Sequence, residues 1–163
     1  MGSTGKKVSA DAYRHAFREL QQLCAGQKSL VLATSDQDRP HCSLMRFALG
    51  PDSRSFVLIT PKDTRKYENI RRNNQVSTLV TEAAPDESRD AYGLAATVNG
   101  PIEIARGPKR LELVDLFTTR HPELQDFAES PESAVLHLQW REVVLVRGIH
   151  SVIRLDLAGS DPS

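Results

Sequence analysis

Hydrophobic residues near the start of the chain recur at helical spacing and predict an amphipathic helix. Ser9 can cap this helix, which runs to about Cys24, and Gly26 suits its C-terminal end. The apolar residues that share one face of the helix are Tyr13, Phe17, Leu20 and Cys24.

The rest of the chain consists mainly of short apolar segments separated by turn residues, a pattern that predicts six or seven strands. Two shorter helical segments interrupt them, one at 64–72 and one that Pro108 can open, and helical spacing recurs after Pro122. The predicted strands are residues 30–34, 41–49, 56–60, 76–81, 92–106 with a bulge or bend at 99–101, 135–146 and 149–157.

The strand pattern predicts a closed antiparallel architecture, because this number of strands usually forms a barrel or sandwich that leaves few exposed edges. The strands do not alternate with long helices, which disfavours a doubly wound parallel sheet. We expect one domain at residues 9–157, preceded by a flexible leader at 1–8 and followed by a disordered tail at 158–163. The segment 82–90 is polar and predicts a mobile loop.

The balance of charged residues bears on whether the protein binds nucleic acid. Lys and Arg total 21 and Asp and Glu total 21, so the net charge is zero and nothing indicates a nucleic-acid binder. No apolar run is long enough to span a membrane, and the N-terminal residues do not resemble a signal peptide. We therefore expect a cytoplasmic protein with reduced cysteines, no nucleic-acid partner and no membrane association.

The most informative candidate chemistry lies where the strand 56–60 leads into the helix 64–72. Arg65 and Lys66 fall in the first helical turn, where the helix dipole disfavours cations. The conflict disappears if backbone N–H groups, hydroxyls and the two cations bind one phosphate. The alternative is a solvated helix start at which Asp63 offsets part of the unfavourable charge.

Other motifs are less informative. The five histidines and two cysteines show no metal-ligand spacing, so no metal site is predicted. The sequence has no nucleophile elbow, P-loop or dinucleotide fingerprint. In the strand 41–49, side-chain alternation places Arg46 on the same face as small apolar residues. We expect it to form an ion pair, to reach solvent at a strand edge or to contact a ligand. Trp140 is expected in a core or an interface.

Four segments together resemble the pyridoxamine 5'-phosphate oxidase-like FMN-binding split-barrel family. The most specific part is Thr60 to Val76, with a Thr-Arg-Lys clamp and an Asn-Asn-Gln-Val-Ser strand start in which Asn74 stands where proline is usual. The similarity extends over about residues 10–157. The segments are residues 34–43, 56–60, 64–66 and 73–77.

The resemblance implies a mainly β fold with peripheral helices, a six-stranded antiparallel Greek-key split β-barrel. It also implies FMN bound at a homodimer interface, which residues of the second chain around Trp140 would help to complete. The residues implied to hold the FMN phosphate are Thr60, Thr64, Arg65 and Lys66, with Ile59 beside the ribityl chain and Ser43, Leu44, Met45 and Arg46 along the isoalloxazine.

Departures from the family pattern argue against vitamin B6 phosphates as substrates. Ala48 stands where a true pyridoxamine-phosphate oxidase carries lysine, and the C-terminal Arg-x-His pair is missing. The expected function is therefore an FMN-dependent oxidoreductase with an unidentified small-molecule substrate. One alternative is a deazaflavin-dependent or haem-degrading relative. Another is a non-catalytic flavin or haem binding protein, and for haem His41 or His150 would be a ligand. A third is a barrel that has lost its ligand.

Overall fold

A computed structural model describes residues 9–82, 93–148 and 151–158 of the chain. These residues form eight strands, four α-helices and one 3₁₀ turn at Pro122–Leu124. The strands are β1 (Ser29–Asp36), β2 (Arg39–Leu49), β3 (Ser55–Pro61), β4 (Gln75–Thr81), β5 (Leu94–Ile104), β6 (Ser133–Gln139), β7 (Glu142–Arg147) and β8 (Ser151–Asp156). The helices are α1 (Ala10–Gly26), α2 (Arg65–Arg72), α3 (Gly107–Arg120) and α4 (Gln125–Glu129).

Six of the strands close into an antiparallel barrel. They follow the order β4-β1-β2-β3-β6-β5, and pairing between β4 and β5 closes the ring. The β7–β8 hairpin extends the sheet from the N-terminal half of β5. The predicted six-stranded split barrel is therefore confirmed, as are the helix capped by Ser9 and the helix that follows Thr64.

Two apolar clusters stabilise the fold, one inside the barrel and one outside it. Inside, the rings of Phe47 and Phe56 pack edge-to-face with centroids 5.1 Å apart, and α1 contributes Leu20. Outside, α3 covers β2, β3 and β6, where Phe117 packs in the same cluster as Ala48. Because successive side chains of a strand point to opposite faces, β3 supplies both clusters and is buried on both sides.

The predicted strand 135–146 is wrong, because the structure divides it into β6 and β7. Between them, Trp140 N donates to Arg54 O at 3.1 Å and Arg141 N donates to Asn99 O at 2.9 Å. The chain thus leaves the ladder with β3 and joins a different part of β5. No glycine or proline marks this break, so the apolar pattern showed one long strand.

The predicted interruption at 99–101 is also wrong, since β5 runs through it as a continuous strand. What changes there is the neighbour, because residues 94–99 pair with β7 and residues 102–104 pair with β6. Gly100 allows the close approach this exchange requires: a Cβ there would lie 1.9 Å from the carbonyl oxygen of Gln139.

Several expectations concern residues outside the described ranges. They are the leader at 1–8, the tail from 159 onwards, most of the loop at 82–90, and His150. Within the described residues, no helix combines the length and the apolar character needed to cross a membrane.

Candidate phosphate-binding site

The turn between β3 and α2 brings two threonine hydroxyls together. Thr64 caps α2: its Oγ1 accepts from Tyr67 N at 3.4 Å and donates to Pro61 O at 2.9 Å. Thr60, fully buried at the end of β3, places its Oγ1 3.1 Å from that of Thr64. The hydroxyl pair therefore lies directly before the first turn of α2, as the phosphate hypothesis requires.

The four cations of α2 differ in their partners. At the C-terminal end, Arg71 pairs with Glu68 at 3.3 Å and Arg72 pairs with Asp36 at 2.8 Å. Arg65 and Lys66, in the first turn, form no ion pair or side-chain hydrogen bond with any residue that the structure describes. The two cations at the unfavourable end of the helix dipole are thus the two without a carboxylate partner.

Lys66 is partly buried among its neighbours. Burial lowers the pKa of its ammonium group below the usual 10.5, because desolvation disfavours the charged form. An anion bound at the start of α2 would reverse this effect by stabilising the positive charge. The geometry and the charge therefore both favour an anionic group at this position.

The segment 43–46 of β2 alternates between the barrel interior and its outer surface. Met45 is buried in the barrel core, Ser43 is half-buried, and Leu44 is 76% exposed. Arg46 is exposed and its Nη1 donates to Ser29 Oγ at 3.2 Å. Arg46 forms no ion pair within the described parts of the chain, so the expected ion pair is not formed there and the side chain reaches solvent.

The ladder between β2 and β3 is short, and its end brings the predicted site segments near each other. Pairing extends over three residues and stops at Phe47 and Leu58. Beyond that point β2 continues with β1, and β3 continues with β6. Segments 43–46 and 59–60 therefore lie on the two sides of this split. The side chain of Ile59 packs under α3, so a contact from Ile59 to a ligand would use its backbone.

An outer apolar stripe was not predicted. Val31 pairs with Leu44 on one side and with Leu79 on the other, so three apolar side chains line up across β2, β1 and β4 on the outside of the barrel. Leu79 is 40% exposed. The alternation of apolar residues in β1 and β4 indicated that each strand has an outward apolar side chain. Only the register between the strands shows that these side chains lie next to one another.

A profile described as pyridoxamine 5'-phosphate oxidase matches residues 16–147. The chain belongs to the pyridoxamine 5'-phosphate oxidase-like family. In sequence, it is similar to a Schizosaccharomyces pombe protein named as a pyridoxamine 5'-phosphate oxidase homologue, with 28% identity over 69% of this chain and 72% of that protein.

Solved structures share the fold of this family member at low sequence identity. The heme binding protein of Mycobacterium smegmatis has a TM-score of 0.78 and 16% identity, covering 86% of this chain and 57% of that one. The heme storage protein HutZ of Vibrio cholerae has a TM-score of 0.65 and 22% identity, covering 80% and 93%. General stress protein 26 of Bacillus anthracis has a TM-score of 0.67 and 18% identity, covering 88% and 99%. The chain spans less than two thirds of the Mycobacterium protein.

Two positions discussed for the family have core roles here. Trp140 packs against Phe56 with ring centroids 4.9 Å apart and is buried inside its own barrel. Its ring is therefore not available to complete a site on a second chain. Ala48, where a true pyridoxamine-phosphate oxidase carries lysine, is buried against α3.

The four histidines that the structure describes in this family member are dispersed. His121 and His137 are buried, His41 is half-buried on β2, and His15 is exposed on α1. The described residues contain no group of three or more potential metal ligands.

Proposed function

We propose that this protein binds FMN and acts as an FMN-dependent oxidoreductase on a small-molecule substrate. The observation that carries the proposal is the pair of uncompensated cations, Arg65 and Lys66, beside the hydroxyls of Thr60 and Thr64. The protein would act in the cytoplasm, where free thiols such as Cys24 remain reduced.

The start of α2 provides the types of group that bind a phosphate. Its first-turn N–H groups point out of the helix, and the dipole favours negative charge there. The two hydroxyls, bonded to each other and to Pro61 O, hold the turn in place, and Arg65 and Lys66 can form charge-assisted hydrogen bonds. A terminal phosphate, such as that of FMN, would satisfy the N–H groups and both cations with one anion.

The residues beside the split would bind the rest of the cofactor. Ser43, Leu44 and Met45 would contact the isoalloxazine through backbone groups, and Arg46 would place a positive charge near the ring. Bound flavin supplies the electron-transfer chemistry, while these residues position it and adjust its electrostatic environment. A positive charge at this position stabilises the reduced, anionic form of the cofactor.

FMN and riboflavin titrations test this proposal, because the two ligands differ only in the phosphate. Purified protein should be yellow or should take up added FMN, and riboflavin should bind much more weakly. Replacing Arg65 and Lys66 together by alanine should weaken FMN binding by about 3–6 kcal/mol, at roughly 1.5–3 kcal/mol for each charge-assisted contact, and leave riboflavin binding unchanged.

Arg71→Ala with Arg72→Ala is the matched control, since it removes two cations from the other end of the same helix. FMN binding in this control should remain close to that of the unmodified protein. Equal affinity for FMN in the Arg65/Lys66 double variant and in the unmodified protein would refute the phosphate site. Titration with a deazaflavin in the same assay compares that alternative cofactor directly.

A homodimer is part of the proposal, with the cofactor between the two chains. The apolar stripe of Val31, Leu44 and Leu79 supports it, because Leu44 and Leu79 are exposed on either side of the half-buried Val31, and aligned apolar side chains of this kind are typical of an interaction surface. The stripe adjoins Arg46, so an interface formed there would also enclose the predicted flavin segment. Leu44→Lys should convert the dimer to a monomer in sedimentation equilibrium.

Leu111→Lys serves as the control for this substitution, since Leu111 is 68% exposed on α3, away from the stripe. We expect this control to remain dimeric. A monomeric unmodified protein at micromolar concentrations would exclude the dimer without affecting the phosphate-site test.

Haem binding is the second candidate function. Two proteins with this fold are named for haem binding or storage, and His41 on β2 provides an imidazole that is half exposed. If the barrel binds haem, added haem should produce a Soret band that His41→Ala removes and that His15→Ala leaves intact. A spectrum of free haem at all protein concentrations would rule this function out.

A further inference from the structure

A polar cavity lies between the start of α3 and the start of β6. Its volume is about 280 Å³, enough for a small anion with an attached group. None of the four residues expected to bind the FMN phosphate lines it. The lining residues central to the inference are Lys62, Tyr67, Arg106, Gly107, Arg110 and Ser133.

Three cations line this cavity and no carboxylate does. Lys62 Nζ donates to the carbonyl oxygen of Pro131 at 2.6 Å, and Arg110 Nη2 donates to that of Ser130 at 3.0 Å. Arg106 is exposed, and within the described ranges none of the three cations forms an ion pair. Carbonyl partners orient Lys62 and Arg110 without neutralising them, so the cavity keeps its positive charge.

The backbone adds to this charge because α3 begins at the cavity. Gly107 has a φ of +56°, no side chain caps the helix, and its first turn contains no acidic residue. Uncapped N–H groups and the positive end of the dipole therefore lie at the same place as the cations.

Ser133 provides an independent indication of a ligand. The residue is 3% exposed and lines the cavity, and its hydroxyl forms no hydrogen bond with any residue in the described parts of the chain. It lies on the same face of β6 as Val135, which packs against α3, because residues two apart on a strand share a face. The hydroxyl can be reached from the cavity, and an anion bound there would accept its hydrogen bond.

We propose that this cavity binds a phosphate group, either free phosphate or the phosphate of a small phosphate ester. Arg106 and Ser133 would donate to the phosphate oxygens, and Lys62 and Arg110 would supply additional positive charge. This site adjoins the β3–α2 turn through Lys62 and Tyr67 but includes none of the four residues of the proposed FMN phosphate site, and its existence does not depend on whether the protein binds FMN.

Isothermal titration calorimetry on the full chain tests the proposal. Inorganic phosphate and phenyl phosphate are titrated into the Arg65→Ala and Lys66→Ala double variant, so that the proposed FMN site cannot account for the binding. In that background Arg106→Gln and Ser133→Ala should each weaken binding roughly tenfold, because each removes a hydrogen bond to a charged group. Lys109→Gln is the matched control: it removes a charge from the same helical turn without altering the cavity lining.

Tighter binding of phenyl phosphate identifies a phosphate ester as the ligand class, and equal binding of the two identifies the phosphate group alone. Either result supports the site when Lys109→Gln changes binding by no more than about twofold, as expected for a screened charge outside the cavity. Absence of measurable heat with both anions in the millimolar range would overturn the proposal. So would equal weakening by Arg106→Gln and Lys109→Gln, which would indicate nonspecific attraction.

Discussion

The hydroxyl oxygens of Thr60 and Thr64 lie 3.1 Å apart, although Thr60 is the next-to-last residue of a barrel strand and Thr64 caps a helix. This contact joins the rigid edge of the barrel to the first turn of α2. It fixes the position of the first turn of α2, which carries the uncompensated charges of Arg65 and Lys66. A phosphate bound there would contact both structural elements.

Thr60→Val tests the contribution of the strand hydroxyl. Removing it should weaken FMN binding about tenfold, by roughly 1.4 kcal/mol, while riboflavin binding stays the same. Thr78→Val is the control, because Thr78 is also buried and its hydroxyl donates to Val98 O at 3.3 Å, in a different part of the barrel. Equal losses of FMN affinity in the two variants would mean that the effect comes from the barrel and not from the site.

Arg120→Met should destabilise the fold by about 2 kcal/mol. Arg120 Nη2 donates to the carbonyl oxygens of Cys24 at 3.0 Å and Ala25 at 2.9 Å, at the C-terminal end of α1, where a cation is favourable. Methionine keeps the apolar stem but loses these bonds. Urea denaturation measures the change in the free energy of unfolding.

Arg14→Met provides the comparison for Arg120→Met, since Arg14 forms an exposed ion pair with Asp11. An exposed pair of this kind contributes roughly 0–1 kcal/mol. If both variants have the same free energy of unfolding, the contact between α3 and α1 does not stabilise the protein as we infer.

Gly100→Ala should cost about 3 kcal/mol or more, because its Cβ would lie 1.9 Å from the backbone oxygen of Gln139, which cannot move without breaking the sheet. Gly26→Ala is the opposite case. No atom lies within 4 Å of its added Cβ, and alanine favours the helix by up to about 1 kcal/mol. Thermal and urea unfolding of the two variants should therefore shift in opposite directions, and a stable Gly100→Ala variant would contradict the close approach.

Stability at low pH should depend on Asp52. Burial raises the pKa of this carboxyl group, but hydrogen bonds from Ser55 Oγ at 2.7 Å and Arg54 N at 3.0 Å outweigh burial and hold the pKa below the usual 3.8. The folded state therefore favours the carboxylate. This contribution to stability is complete above pH 3.8 and is lost as the pH falls through the lowered value.

Asp52→Asn should therefore reduce the drop in melting temperature on acidification from about pH 5 to about pH 3, because the contribution is complete at pH 5 and its loss begins below pH 3.8. Ser55→Ala, which removes one of the donors, should reduce it as well. Scanning calorimetry at several pH values measures both effects. If the melting temperature of both variants falls as much as that of the unmodified protein, the Asp52 carboxylate does not contribute to stability.

The predictions made from sequence were best where the decisive contacts are local. Ser9 caps α1 and Thr64 caps α2 through bonds to a backbone N–H three residues later, so the neighbouring sequence was sufficient to place both helix starts. The same holds for the position of Arg65 and Lys66 in a first turn. Turn residues likewise separated the first three strands correctly.

Long-range contacts explain what the sequence did not reveal. The break between β6 and β7 depends on hydrogen bonds from Trp140 N and Arg141 N to Arg54 and Asn99, which are distant in sequence. Gly100 is needed because the carbonyl of Gln139 leaves no room for a Cβ. The sequence alone showed that two cations lie at the unfavourable end of α2. It did not show the partners of Arg72 in α2 and of Arg46 in β2, because both partners lie on β1, 36 and 17 residues away in the chain. Local sequence thus determines where helices and turns begin, since their hydrogen bonds close within a few residues. The packing of strands determines which charges are left without partners, because register and burial depend on residues far apart in the chain.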